Sequence, residues 1–366
     1  MTLIVTVIVV ALAFEYINGF HDTANSIATV VSTKVLTPRQ AVVLAACTNL
    51  FGALLGTAVA KTITGGLVDA GVVSITSGIL ICALLGAIGW NLITWWHGLP
   101  SSSSHAMIGG LCGAALAAAH NRWNVIIWSE PSTVHWYLGK GLLWKVVVPM
   151  FISPLLGFVG GFALMALLYV SLRRQRPHKV NAFFGVAQMF SAGAMGVMHG
   201  TNDAQKTMGI IALALLSATT AGTFDHLPVW LAFLRSPQPP PGKDLEIAAW
   251  IKVVCALTMA SGTAVGGWRI IKTLGHKMVK LHPINGFAAE ASSATVIGLA
   301  SLLGIPVSTT HNIAAAIMGV GCAKRFNAIK WTVVESMVWA WVLTIPASGG
   351  FGYALVRMGQ TFGWIK

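Results

Sequence analysis

Ten stretches of the chain run almost without interruption in apolar residues: 3–32, 40–60, 72–96, 98–119, 142–171, 183–222, 247–268, 284–303, 304–323 and 331–356. A helix needs about 20 apolar residues to cross the hydrocarbon of a bilayer, so the pattern predicts ten helical passes. Stretches 98–119 and 304–323 could instead turn back as re-entrant hairpins. Two others, 3–32 and 183–222, are too long for one straight pass. Each holds a polar knot, His21-Asp22-Thr23-Ala24-Asn25-Ser26 and Asn202-Asp203-Ala204-Gln205-Lys206-Thr207, with Gly19 and Gly200 just ahead of them. Opened backbone at membrane depth is tolerated where it lines a site, so both stretches are expected to be discontinuous helices.

Composition supports the same class. The 366 residues are 55% hydrophobic and only 9% charged, with a mean hydropathy of +0.75. Ordinary soluble domains are about a quarter charged, so a soluble globule is excluded, and a disordered or collagen-like chain with it. The net charge of +13 could suggest nucleic acid, but the bases sit between apolar runs and form no soluble face. No nucleic-acid partner is expected; the partner is the lipid bilayer. The chain reads as an all-α polytopic membrane protein. Cys47, Cys82, Cys112, Cys255 and Cys322 lie inside apolar segments without ligand spacing and read as packing residues. The opening MTLIVTVIVVALAFE lacks a basic n-region and a cleavage site, which predicts a span and not a removable signal.

Placing segment 173–180 in the cytoplasm puts 33–39, 269–283 and 324–330 on the same side. Together these four carry thirteen Lys and Arg and no acid, against six bases in the opposite loops, a clear positive-inside bias. Both termini then face outside a multi-pass protein of the cell membrane. A basic cytoplasmic linker, 173–182, divides the chain into repeats 1–172 and 183–366. Five passes per half insert the second half upside down. The halves echo each other: GFHDTANSIA answers HGTNDAQKTMG, and GLPSSSSHAMIGG answers GIPVSTTHNIAAA. The Asp-to-His interval is longer in the second half by about the length of a Pro-rich external loop, 223–246. Inverted repeats are an architecture of secondary transporters, with substrate held between them near the midplane.

The motifs carry the chemistry. Asp22 and Asp203 offer full negative charge where a cation or proton can neutralise it. Pro100 and Pro306 each open a helix whose Ser and Thr hydroxyls, Ser102 to Ser104 and Ser308 to Thr310, cap free N–H groups. A helix start is an anion site, and two facing each other would surround a small tetrahedral oxyanion. Ordinary caps and a salt-bridged helix pair are the plain alternatives. Five of the ten acids, Glu15, Asp22, Asp203, Glu290 and Glu335, lie within apolar stretches, where a carboxylate is a candidate for an ion or proton pathway. Glu15 shares a helix face with Asp22, Glu290 is followed by Ser292 and Ser293, and Glu335 is close enough to the bases at 324–330 to pair with them. His21, His105, His199 and His311 border the motifs but show no metal-ligand spacing. An intramembrane hydrolase using Ser104 with His105, or Thr310 with His311, would need a single nucleophile and oxyanion hole; the run occurs twice. A non-transporting anion channel is a further alternative.

These residues resemble the paired signatures of the inorganic phosphate transporter (PiT) family, in its bacterial low-affinity branch. GFHDTANSIATVV, HGTNDAQKTMGI, GLPSSSSH and GIPVSTTH carry the likeness, which runs from about residue 10 to 355. It implies a cation-coupled phosphate symporter, not an enzyme, built as a homodimer and without a bound cofactor or resident metal. Asp22, Asn25, Ser102, Ser103, Ser104, Asp203, Gln205, Ser308, Thr309 and Thr310 would then bind phosphate. Asp22, Asp203, Glu290, Glu15 and Asn202 would serve the coupling cation or proton, and Glu290 falls at an acidic position that many members share. Sodium-driven members commonly carry Asn-Asp-x-Ala-Asn in both halves. Here His21 precedes Asp22, and Gln205-Lys206 stand where Ala-Asn would. The same substitutions are typical of members similar to proton symporters that carry phosphate as a neutral metal complex. The resemblance thus implies protons in place of sodium, sodium being the alternative, with a divalent metal carried alongside phosphate as an option.

Overall fold

The computed structural model describes residues 2–65, 67–69, 71–130, 139–236 and 245–365. Residues 237–244 of the Pro-rich loop lie outside them. Among the described residues every extended element is helical, and the only β pairings are isolated bridges, Val68 with Ile126 and Glu130 with Lys140. Twelve helices follow in order: α1 (Thr2–Ser32), α2 (Pro38–Leu54), α3 (Ala58–Gly65), α4 (Ser77–His97), α5 (Ser103–Ala118), α6 (Leu143–Leu172), α7 (Pro177–Thr220), α8 (Ala249–Val265), α9 (Trp268–Lys277), α10 (Pro283–Leu302), α11 (Thr309–Lys324) and α12 (Trp331–Thr361). Of the ten passes predicted, α1, α4, α6 and α7 are each long and apolar enough to cross a membrane. Helices α8 and α9 make a fifth span only as a pair bent by 58°.

The two long stretches depart from expectation: α1 and α7 run unbroken through their polar knots. Gly19 and Gly200 do not open the backbone; they admit a neighbour. A Cβ on Gly19 would stand 2.4 Å from the Met259 carbonyl of α8, and one on Gly200 would stand 2.3 Å from the Asn49 carbonyl of α2. The polar side chains find partners sideways on other helices, so no backbone need be freed. The break lies elsewhere, at Gly266-Gly267 between α8 and α9, where Gly266 has φ +78°. The basic linker is also shorter than predicted. Pro177 suits the first turn of a helix, and α7 begins there, leaving 173–176 as the connection. Most of the basic segment 269–283 is helical as α9.

Helices α4 with α5, and α10 with α11, are hairpins that turn back on themselves. The stop is chemical: Gly98 and Gly304 take the left-handed conformation, at φ +66° each, that ends a helix, and Pro100 and Pro306 follow. The restart is chemical too, because Ser102 and Ser308 each accept from the backbone N–H three residues on, at 3.2 Å. The hairpin ends lie together, Arg122 bonding the Val72 carbonyl at 3.0 Å, and Lys330 N–H bonding Met278 at 3.0 Å. Each returning helix packs on the other half of the chain. A Cβ on Gly113 of α5 would meet the Gly349 carbonyl of α12 at 2.0 Å, and one on Gly319 of α11 would meet Phe158 of α6 at 2.0 Å.

The apolar core is divided. One part gathers Phe14, Leu80, Met107 and Ile211; the other gathers Ile27, Met165, Leu274 and Ile317. Along α1 and α7 the division falls at Asp22 and Asp203, where the buried side chains turn polar. The four basic segments come to one end, as Ser32 bonds Gly275, and Arg173 and Lys324 line one cavity.

Candidate functional site

The starts of α5 and α11, the hairpin tips, meet the middle of α1 and α7 at this polar level. Asn25 Nδ2 donates to Thr309 Oγ1 and Thr310 Oγ1 at 3.2 and 2.9 Å. The Thr310 hydroxyl reaches Asp22 Oδ1 at 3.3 Å, and the Thr309 hydroxyl donates to Asp203 Oδ2 at 2.9 Å. The second helix start thus ties both acids together. On the first, the Ser104 hydroxyl accepts from the Lys206 ammonium, which also contacts Asp203 Oδ1. His21 Nδ1 lies 2.7 Å from Asp22 Oδ1, and its Nε2 lies 3.1 Å from the Thr94 hydroxyl, itself bonded by Ser101 at 2.8 Å.

Several buried polar atoms here have no partner among the described residues: Ser103 Oγ, Asn25 Oδ1 and Ser26 Oγ. Leaving such groups unsatisfied is costly. The two hydroxyls and the two helix starts can donate to an anion, whereas Asn25 Oδ1, an acceptor, calls for a donor such as the hydroxyl of a protonated phosphate.

His199 adds a second kind of site. Asn49 donates through Nδ2 to the Thr263 hydroxyl at 3.1 Å, and its Oδ1 faces His199 Nδ1 at 3.1 Å. With Nδ1 turned to the Asn49 amide oxygen, the ring directs its Nε2 elsewhere. That Nε2 faces Asp203 Oδ2 at 3.0 Å. A proton or a metal ion held between this nitrogen and oxygen would satisfy both. Ligand atoms of Asp22, His199 and Asp203 all lie within 4.8 Å of one another. Only the four-residue interval from His199 to Asp203 marks this trio in the sequence; the structure brings Asp22 to it from another helix.

The remaining predicted residues are spread around this centre. Ser102 and Ser308 spend their hydroxyls on helix caps. Asn202 Nδ2 holds the α10–α11 tip, donating to Ser301 at 2.9 Å and to the Ile305 carbonyl at 3.4 Å. Gln205 points away from the acids. Its Oε1 accepts from Val59 N–H at 2.7 Å and caps α3, the helix whose free N–H groups are nearest to it.

Glu15 and Glu290 flank the centre on either side. Glu15 stands two turns before Asp22 on α1 and accepts from the Thr207 hydroxyl of α7. Two turns beyond Asp22, Thr29 donates to Glu290, which also accepts from Ser191 and from Gln188 at 3.3 Å. Both glutamates are fully buried, and neither has an ion-pair partner among the described residues. Sequence reasoning missed Thr29, Ser191, Gln188 and Thr207. Gln188 and Ser191, one turn apart in an otherwise apolar run, were the available signal. Glu335, by contrast, is exposed on α12 and shows no ion pair with Lys330 or Arg325.

A family model described as the phosphate transporter family matches residues 18–352. The chain is 40% identical to a "probable low-affinity inorganic phosphate transporter" of Bacillus subtilis over 98% of both chains. It is 44% identical to a protein of the same description from Rhizobium meliloti, over 94% of this chain and 93% of the relative. Its fold matches a solved structure titled "The sodium-dependent phosphate transporter", with a TM-score of 0.79 over 99% of this chain and 100% of that one. At 22% identity that likeness speaks to fold alone.

Proposed function

The chain belongs to the phosphate transporter family, and from that premise we propose that it imports inorganic phosphate by symport with protons. The observation that carries the reading is the meeting of the α5 and α11 starts over Asp22 and Asp203. Phosphate would lie between them, taking N–H and hydroxyl donors from both. Ser103 would complete its donor shell, Asn25 Oδ1 would accept from a phosphate hydroxyl, and the hydroxyls of Thr309 and Thr310 can turn from the acids to the anion. Uncharged donors suit an anion that must also be released.

Glu15 and Glu290 support protons as the driving ion. Each is buried without an ion-pair partner among the described residues, Glu15 against the Thr207 hydroxyl and Glu290 against those of Thr29 and Ser191, so a proton is the simplest charge to load and unload there. They stand on opposite sides of the phosphate centre, about 10 Å along α1 in each direction at 1.5 Å per residue. The Asp22, His199 and Asp203 trio suits a divalent cation travelling with phosphate as cargo; imidazole and carboxylate are fitting ligands for it. The clustering of basic segments at one end supports that end as cytoplasmic and the termini as external.

The test is radiolabelled phosphate uptake into proteoliposomes with pH and sodium gradients imposed separately. Uptake should follow an acid-outside gradient and be unchanged when choline replaces sodium. Uptake that requires a sodium gradient would overturn the proton reading and leave phosphate symport standing. Phosphate that never exceeds its equilibrium distribution would overturn symport in favour of a channel.

A further inference from the structure

The two halves of the site treat their acids differently, and the difference rests on one side chain. Asn25 and Lys206 both stand three residues after an aspartate, and each reaches across to a hairpin tip. Asn25 brings a neutral amide. Lys206 brings an ammonium, only 2% exposed, whose three N–H groups meet three oxygens of different kinds. These are the Asp203 carboxylate, the Ser104 hydroxyl at the start of α5, and the Val307 carbonyl in the α10–α11 tip at 3.1 Å. A carboxylate, a hydroxyl and a backbone carbonyl are also what a small hard cation gathers. An ammonium is a compact point charge with three donors, so it fits the same shell.

We propose that the Lys206 ammonium is a tethered coupling cation: it holds the place beside Asp203 that a mobile monovalent cation would otherwise occupy, and so excludes sodium from that half of the site. The consequence is arithmetic. Asp203 is neutralised by a charge that never leaves, whereas Asp22 has an imidazole and hydroxyls beside it and no Lys or Arg ion pair among the described residues. The charge of Asp22 is then the one left for a mobile cation to balance in each cycle, with Asp203 lending that cation an oxygen ligand. The tether also bridges both hairpin tips through Ser104 and Val307. A bound sodium could dissociate and let the tips part, but the ammonium releases them only by a swing of its own chain. The inference rests on the phosphate-site reading above, but its readout does not need transport.

The experiment measures melting of the purified protein in sodium against choline, alongside uptake. Wild type should show no sodium-dependent rise in melting temperature. Lys206→Asn, which supplies an oxygen ligand in place of the ammonium, should gain a sodium-dependent rise and several-fold sodium stimulation of phosphate uptake. Lys206→Met, lacking that oxygen, should gain less of both. A folded Lys206→Asn protein whose melting and uptake ignore sodium would overturn the proposal. So would a sodium-dependent rise in wild type that disappears in Asp203→Asn, a comparison that holds even if the Lys206 variants fail to fold. Failure of the proton reading would show itself separately, as sodium-driven uptake by wild type.

Discussion

Asp22 and Asp203 occupy answering places in answering helices, yet their surroundings teach different lessons. Both sit three residues after a glycine that lets another helix close in, and both receive a hydroxyl from the start of α11. Around Asp22 the hydrogen-bond partners are neutral or weakly basic groups: His21, Thr310 and, through His21, Thr94. Asp203 is bound to a buried lysine. On the proposal above, the carboxylate that exchanges its partner is the one surrounded by groups able to let go, and the one tied to a lysine belongs to the framework.

The sharpest way to break this comparison is to neutralise each acid. Asp22→Asn and Asp203→Asn should each lower phosphate uptake by roughly 100-fold or more, since both remove charge from the cation trio. Their stabilities should diverge. Asp203→Asn strands the Lys206 ammonium and should cost about 3–5 kcal/mol; Asp22→Asn keeps its hydrogen bonds and should cost far less. Adding Lys206→Met to Asp203→Asn should restore most of the lost stability without restoring uptake. Equal melting of the two single variants would refute the distinction.

The flanking glutamates come next. Glu290→Ala removes the acceptor of Thr29, Ser191 and Gln188, whereas Glu15→Ala removes that of Thr207. At about 1–3 kcal/mol for each buried group left unmet, Glu290→Ala should be the more damaging in chemical denaturation. Gly113→Val and Gly319→Val test whether the hairpins are mounted alike. Each drives a side chain against facing backbone, and each should cost about 1–3 kcal/mol or more by overpacking. A large gap between the two would show that the halves bear on their partners unequally. The smallest effect expected is that of Gln205→Ala. It loses a cap of α3 worth about 1 kcal/mol, with uptake close to wild type. A collapse of uptake would return Gln205 to the phosphate shell.

What could be read from the sequence was whatever leaves a mark within a few residues. Asp22 and Asp203 stand out because charge interrupts apolar runs. The hairpin tips stand out because Gly98, Pro100 and Ser102, and again Gly304, Pro306 and Ser308, spell a stop and a restart locally. The continuity of α1 and α7 was hidden, because a glycine beside polar residues fits both an opened helix and a close contact. The carbonyls of Met259 and Asn49, far away in the chain, decide which. Gln205 was misplaced for a similar reason. It is next to Lys206 in the chain, but successive helical side chains point in different directions, and its own direction leads to α3. Of the meeting of His199 with two acids, only the four-residue interval to Asp203 leaves a local mark; Asp22 comes from another helix.

The mounting of the hairpins has a consequence for how the protein is made. Helix α5 has 16 residues, about 24 Å at 1.5 Å per residue, short of the roughly 30 Å hydrocarbon. Its glycine face closes on α12, which follows it far along the chain. When α11 emerges, the surface it needs on α6 has already been synthesised. Helix α5 must wait while α6 to α11 are made before its own partner exists. Biogenesis is therefore less symmetric than the finished molecule, and a nascent chain stopped short of α12 would hold one hairpin seated and the other open to whatever in the membrane can shield it.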